Sequence, residues 1–211
     1  MGQSRLYPFI ERGSLDVVQM KPGGDDFMGD TLDTFLYTVS NGGGVAAAAP
    51  VITGGALNGI LDMVTGTAAG STASSEISSG LNFRGDRGCV MVACISLDII
   101  TGVKVEVGFT DVLNDPGAVA TKATPTFTAT DCALFVYDTT DDTELTFMSN
   151  GGTTDANKDA DGLLGAVDFD IAANTYFVVE IVGMGPTTAT GGSTTGDNVA
   201  GFVNGQYVGS G

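Results

Sequence analysis

The stretch at residues 88–111, GCVMVACISLDIITGVKVEVGFTD, decides the fold class of this chain. In residues 103–109 every second side chain is apolar, and the side chains between them include Lys104 and Glu106. An alternation with a period of two is typical of a strand with one polar face. Residues 90–97 form a nearly unbroken apolar run, which suits a strand that is covered on both faces or curves between two sheets. The stretch therefore predicts two consecutive strands.

Strand patterns continue through the rest of the chain. The runs at 132–137 and 176–182 again suit strands that are covered on both faces or curve between sheets. Residues 167–171 alternate apolar side chains with Asp. Asn204-Gly205, between two short apolar runs, is the signature of a two-residue type I′ hairpin. No segment shows a helical repeat of apolar positions, and about a dozen short strands predict a large antiparallel sandwich.

The composition excludes several classes of function. The chain has 211 residues, 25 acidic and 8 basic side chains, a formal charge of −17, and neither histidine nor tryptophan. Without histidine there is no Ser-His-Asp or Cys-His catalytic site and no histidine-ligated zinc or copper. The negative charge argues against nucleic acid, whose phosphates need Lys and Arg, and against an anionic membrane surface. Three cysteines without a C-x-x-C pair predict reduced thiols: Cys89, Cys94 and Cys132.

Residues 1–24 differ in charge from the rest of the chain and end in a Lys-Pro-Gly-Gly break. They hold three basic residues and two acidic ones, net +1, which leaves −18 for residues 25–211. This change predicts an N-terminal arm, 1–24, and one β-sandwich domain, 25–211, with a frayed terminus as the alternative. The N-terminus lacks an apolar signal region, which predicts synthesis in the cytoplasm without a signal peptide. The candidate anchoring residues of the arm are Arg5, Leu6, Tyr7, Phe9, Ile10 and Arg12.

Several segments resemble a known family. DDFMGDTLD at 25–33 resembles the opening strand of concanavalin-like jelly rolls, such as laminarinases and laminin-G-type domains. The 88–111 stretch, with GFTD at 108–111, resembles a pattern of phage virion proteins of that fold. The segments at 174–182 and 201–209 resemble the closing strands of such jelly rolls. The resemblance implies an all-β, antiparallel jelly-roll (concanavalin-like) β-sandwich with an extended N-terminal arm.

The chain departs from the catalytic members of that fold. Catalytic members of the laminarinase type carry a strand with the pattern E-x-D-x-x-E or E-x-D-x-E, which supplies the nucleophile and the acid. In retaining enzymes these two carboxylates lie about 5–5.5 Å apart. None of the five glutamates here lies within four residues of another, and Glu106 and Glu180 are each expected to be a single outward charge. The chain is therefore predicted not to be an enzyme. The missing tryptophan weakens, but does not remove, a carbohydrate site, because sugar rings usually stack on aromatic side chains.

The most specific local motif is DANKDADG at residues 155–162, where Asp and Asn alternate ahead of a glycine. Oxygen ligands at this spacing converge on a hard cation, and the glycine allows a sharp turn. The motif predicts a Ca²⁺ site formed by Asp155, Asn157, Asp159 and Asp161. No flanking helices are predicted, so a solvated acidic hairpin loop is the alternative. Residues 84–86 spell the cell-adhesion tripeptide RGD. The alternative interpretation is that the arginines here pair with the abundant carboxylates.

Together these features predict a virion structural protein on the capsid exterior. We expect a capsid decoration (cement) subunit of a tailed phage, which binds and stabilises the lattice of the major capsid protein through its N-terminal arm. Neighbouring copies are expected to form a closed homo-oligomer, a trimer rather than a dimer. Neither nucleic acid nor a membrane is expected as a partner. The alternative is a carbohydrate-binding or host-recognition module of a phage fibre or knob.

Overall fold

The computed structural model describes residues 37–42, 50–53, 60–65, 72–77, 88–112, 117–150, 156–158, 169–183 and 199–210. All regular structure in these ranges is strand, so the all-β prediction is confirmed. Nowhere in them is there a helix long and apolar enough to span a membrane. The chain divides into two compact units, Met1–Asn82 and Phe83–Gly211.

The first unit contains two antiparallel strand pairs. Strand β1 (Tyr37–Gly42) pairs with β4 (Thr72–Ile77) along the full length of both strands. Strand β2 (Val51–Ile52) pairs with β3 (Leu61–Asp62), and the hydroxyl of Thr53 donates a hydrogen bond to the carboxylate of Asp62 beside this pair. Each pair is a separate two-stranded sheet.

The second unit contains two four-stranded antiparallel sheets. The strands of the first sheet are β6 (Lys104–Thr110), β9 (Cys132–Asp138), β10 (Leu145–Asn150) and β11 (Ala156–Lys158). The strands of the second sheet are β5 (Val90–Ile95), β12 (Phe177–Gly183), β13 (Val199–Val203) and β14 (Gln206–Ser210). Their orders are β11-β10-β9-β6 and β14-β13-β12-β5. A small hairpin, β7 (Val119–Thr121) and β8 (Thr126–Phe127), follows β6 in the chain.

The inner faces of these two sheets share one apolar core, so the sheets form a sandwich. Phe135 and Phe147 of the first sheet are buried with their ring centroids 5.2 Å apart, and they pack with Val179 and Ile181 of the second sheet. Gly201 of β13 also faces this core, where a Cβ atom would lie 2.7 Å from the ring of Phe147. Close packing of the two rings therefore requires a glycine at this inward position.

The Asn-Gly hairpin is confirmed at the predicted position between β13 and β14. The φ angles of Asn204 and Gly205 are 49° and 78°, and a type I′ turn needs positive φ at both residues. Val203 lies opposite Gln206, so the connection has two residues. The turn is also tied to β12, because Asn204 donates its N–H to the carbonyl of Val178 at 2.8 Å and accepts the N–H of Val178 at its side chain at 2.9 Å.

The strand predicted at 167–171 is not formed in the part of it that the structure describes. There Asp170 makes one isolated antiparallel bridge with Glu144. Phe169 still packs into the core, 5.3 Å from the ring of Phe177. A turn follows, with Asn174 at a φ of 57°.

Candidate functional site

Each sheet of the sandwich has an outward surface as well as a surface that faces the core. On the first sheet, the outward side chains of Leu134, Val136 and Met148 are at most 1% exposed. They pack beneath residues 117–129 of the same chain, which we call the cover segment. Strand β9 is therefore covered on both faces, as the apolar run at 132–137 predicts.

A carboxylate holds the beginning of the cover segment in place. Glu106, on β6, accepts hydrogen bonds from the N–H groups of Ala118 at 2.7 Å and Val119 at 3.1 Å. The ammonium group of Lys104 lies 2.9 Å from the same carboxylate and donates to the carbonyl of Val119. Gly117 has a φ of +92°, and a Cβ there would lie 2.5 Å from the Glu106 carboxylate. Glu106 is thus a paired structural anchor rather than the single outward charge that its strand position predicts.

A buried lysine holds the middle of the cover segment. The ammonium group of Lys122, a residue only 3% exposed, donates to the carboxylate of Asp142 and, at 2.6 Å, to the carbonyl of Glu144. The N–H groups of Ala123 and Lys122 donate to the carboxylate of Asp141 at 2.9 and 2.8 Å. These two hydrogen bonds, that from Ala123 first, hold the pKa of Asp141 below its ordinary value. The acidic turn between β9 and β10 is therefore an attachment point for the cover segment.

The outward surface of the second sheet is partly exposed. Val92 of β5 is 58% exposed and Tyr207 of β14 is 42% exposed. Alternate residues of these strands pack into the core, so the residues between them point outward. We call the outward surface of this sheet the outer face; its side chains are those of Val90, Val92, Cys94, Val178, Glu180, Val182, Ala200, Phe202, Tyr207 and Ser210. Of these, Val92, Cys94 and Tyr207 are exposed, Ala200 and Ser210 are buried, and the other five are half-buried.

The outer face is apolar apart from one charge at its middle. Glu180 lies between Val92 on β5 and Phe202 on β13 in the register of the sheet. The ring of Tyr207 packs edge-on against Phe202 at 5.7 Å, and its hydroxyl donates to Ser210 at 2.8 Å. Exposed apolar side chains grouped on one face, such as Val92 and Tyr207 here, mark a place where another molecule can bind. The outer face is therefore the candidate functional site.

Sequence reasoning does not identify this face. The runs at 90–97 and 176–182 predict strands that are covered on both faces or curve between sheets, but Val92 is 58% exposed, so β5 is not covered on both faces. In β12, buried and half-buried residues alternate along the strand. The one usable signal is Glu180, since a charge inside an apolar strand marks the side that faces outward.

Two cysteines of the second unit differ in reactivity. Cys94 is exposed on the outer face, whereas Cys132 is buried beneath the cover segment. Burial is the main reason that the pKa of the Cys132 thiol rises from 9.0 to about 12. Because the thiolate is the nucleophile and Cys132 is buried, we expect a thiol reagent to modify Cys94 before Cys132.

Most residues predicted to form a site lie outside the described ranges. This holds for the six arm residues Arg5, Leu6, Tyr7, Phe9, Ile10 and Arg12, and for the tripeptide at 84–86. It also holds for three of the predicted calcium ligands: Asp155, Asp159 and Asp161. The main chain of Asn157 is described, on β11, opposite Met148 of β10. Within the described residues, no three or more Asp, Glu, Cys or His side chains are grouped to hold a metal ion.

No family model, curated protein or solved structure matches the chain. The chemistry of the outer face, rather than a relative, therefore carries the functional inference. That chemistry is an apolar surface with one carboxylate, which suits the binding of a protein.

Proposed function

We propose that this protein is a virion structural protein, a capsid decoration (cement) subunit of a tailed phage. The observation that carries the proposal is the apolar, partly exposed outer face, with Val92 and Tyr207 exposed, on a chain with a formal charge of −17. Large contiguous apolar patches are rare on soluble monomers and mark surfaces that bind other molecules. A subunit that is added to an assembled lattice needs such a surface and needs no catalytic group.

The difference between the outward surfaces of the two sheets supports an assembly role. On the first sheet the chain provides its own cover segment, which Glu106 and Lys122 hold in place. On the second sheet Val92 and Tyr207 remain exposed. Removing apolar surface from water yields about 25 cal/mol per Å². A partner that covers Val92 and Tyr207 would therefore gain this free energy on binding.

In the proposed assembly the sandwich is a concanavalin-like jelly roll and residues 1–24 are the anchor to the major capsid protein. An extended segment gains main-chain hydrogen bonds when it adds to an exposed sheet edge. Arg5 and Arg12 would meet acidic groups of the coat, and the apolar arm residues would enter its grooves. Copies would form a trimer at a symmetry axis, and repetition over the lattice would make many weak contacts collectively strong.

The first test is the number of copies in purified virions, measured by quantitative mass spectrometry. A decoration subunit should be present at a copy number comparable to that of the major capsid protein. A few copies per particle would place the protein in a tail or fibre, and its absence from the particle would refute the proposal.

The second test mixes purified protein with undecorated capsids and measures occupancy. Val92→Lys should decorate poorly, because it places a charge in the apolar outer face. Ile99→Lys is the matched control, since Ile99 is 59% exposed, like Val92, but lies after β5, off the outer face. Equal occupancy by the two variants would remove the outer face from the interface. Full occupancy by a chain without residues 1–24 would remove the arm as the anchor.

The alternative, a carbohydrate-binding module, rests on two exposed aromatic side chains. Tyr176 is 61% exposed and Tyr207 is 42% exposed, and tyrosine rings can stack on sugars. Glycan-array binding that Tyr176→Ala abolishes, together with absence from capsids, would favour this alternative over decoration.

A further inference from the structure

Strand β5 is an edge strand, because among the described strands only β12 pairs with it. Just before β5, the N–H of Gly183 donates to the carbonyl of Cys89 at 2.6 Å. In an antiparallel pair, directly opposite residues alternate between hydrogen-bonded and non-hydrogen-bonded positions. Cys89 and every second residue after it therefore form main-chain hydrogen bonds with β12. The residues between them, Val90, Val92 and Cys94, direct their N–H and C=O groups away from β12.

Among the described residues, this edge of the second sheet lacks the features that usually protect a sheet edge. Natural edges carry charged residues or proline, or are covered by another element. Val90–Ile95 contains no charged residue and no proline. By contrast, β6 at the edge of the first sheet carries Lys104 and Glu106, and β14 at the other edge of the second sheet lies beside β11. The β5 edge is therefore suited to accept another strand.

The single charge of the outer face lies next to this edge. Glu180 and Val92 form a non-hydrogen-bonded pair by the register, and such pairs bring their side chains close together. A partner that covers the outer face also covers the Glu180 carboxylate. Burying a carboxylate is costly unless the partner supplies a positive charge or hydrogen-bond donors. The complementary partner therefore carries a basic residue.

From these observations we propose that β5 receives an extended segment of another protein as an added strand. Val90, Val92 and Cys94 supply the main-chain hydrogen bonds, and alternate apolar side chains of the segment extend the outer face. One lysine or arginine of the segment reaches over β5 to Glu180. The main chains of the segment and of β12 would lie two strand spacings apart, about 9.6 Å. A second copy of this chain is a poor occupant, because it brings its own formal charge of −17. The proposal holds whether or not the assembly is a capsid.

The test uses the full-length chain and a fluorescein-labelled, capped peptide, Thr-Val-Thr-Lys-Thr-Val-Thr. In an extended peptide of this sequence, the valines and the lysine share one face. Fluorescence anisotropy measures the Kd, and amide hydrogen exchange by NMR locates the site. We expect saturable binding and slower exchange at the amides of Val90, Val92 and Cys94. Absence of saturable binding, or protection elsewhere, overturns the proposal.

Two matched peptides separate the contribution of the backbone from that of the charge. N-methylation of the two valines and the lysine removes the donors that face β5, and it should raise the Kd at least about tenfold. Replacing the lysine by glutamate should also weaken binding, and Glu180→Gln should reduce the difference between these two peptides. Equal binding of the N-methylated peptide excludes strand addition. Equal binding of the lysine and glutamate peptides excludes the role of Glu180.

A protein variant tests the same edge from the other side. Val92→Pro removes an N–H that faces away from β12, so the pairing of β5 with β12 is kept while the added strand loses a hydrogen bond. Val92→Thr keeps the N–H and is the matched control. We expect the peptide to bind Val92→Thr and not Val92→Pro, and equal binding contradicts the proposal. If Val92→Pro does not fold, as judged by circular dichroism, the N-methylated peptide decides.

Two further outcomes would assign the edge to a different occupant. Peptide binding that appears only after residues 1–24 are deleted would show that the chain's own arm occupies the edge. A dimer in sedimentation that the peptide dissociates would show a second copy there. Either result overturns the assignment to another protein. Neither changes the copy number in virions, so failure of this inference is distinguishable from failure of the decoration proposal.

Discussion

Replacing Glu106 by glutamine tests whether the cover segment is held by this carboxylate. The variant keeps the size of the side chain but loses the ion pair with Lys104 at 2.9 Å. It also turns an acceptor of two N–H groups, those of Ala118 and Val119, into a group with one acceptor oxygen and one donor nitrogen. A hydrogen bond to a charged group contributes about 1.5–3 kcal/mol and one between neutral groups about 1 kcal/mol. We therefore expect a loss of about 2 kcal/mol in the free energy of unfolding.

The matched control is the other strand glutamate of the sandwich. Glu180→Gln makes the same chemical change at a half-buried position on the outer face, and it should alter the free energy of unfolding by at most about 0.5 kcal/mol. Urea unfolding followed by far-UV circular dichroism measures both variants, since the chain has no tryptophan. Cys132 provides a second measurement, because it lies beneath the cover segment and should react faster with a thiol reagent in Glu106→Gln. Equal stability of the two variants, or unchanged labelling of Cys132, would refute the anchoring role.

Three further predictions concern the core, the acidic turn and the thiols. Gly201→Ala should cost about 2 kcal/mol, because the new methyl group overpacks against the buried ring of Phe147; an unchanged melting temperature would contradict this. The pKa of Asp141 is lowered in the folded state, so its carboxylate contributes stability above its ordinary value of 3.8 that is lost as the pH falls through the lowered value. Asp141→Asn should accordingly lose less stability than the wild type on acidification, and parallel urea midpoints across a pH series would argue otherwise. At mildly alkaline pH a thiol reagent should modify Cys94 and spare Cys132, whose pKa is about 12; peptide mapping that finds both modified equally would refute the difference.

Strands and tight turns of this fold are predictable because their causes are local. Alternation at 103–109 is enough to indicate β6, and Asn204-Gly205 is enough to place the β13–β14 hairpin. Both depend on neighbouring side chains and on the φ angles that those residues adopt. No distant contact has to be known for either prediction.

The cover segment and the outer face are not predictable in the same way. An apolar run such as 132–137 or 90–97 indicates that a strand can be covered, but not whether the chain or a partner provides the cover. Residues 117–129 carry few large apolar side chains, so nothing in their sequence marks them as a cover. Glu106 finds its amide partners only after β6 and the cover segment have folded together. The predicted arm and all four calcium ligands remain predictions. Of these residues, the structure describes only the main chain of Asn157, which lies on β11.

The position of β5 in the chain has a consequence for folding. Val90 lies opposite Val182, and the whole first sheet comes between them in sequence. The β9–β10 and β13–β14 hairpins close short loops, whereas β5 must close a long one, so we expect β5 to dock late. Until then β12 presents the edge that β5 will later occupy. A partner strand that is present during synthesis would meet β12, and one that arrives afterwards would meet β5. The order of folding and encounter, as well as affinity, then decides which assembled form is produced.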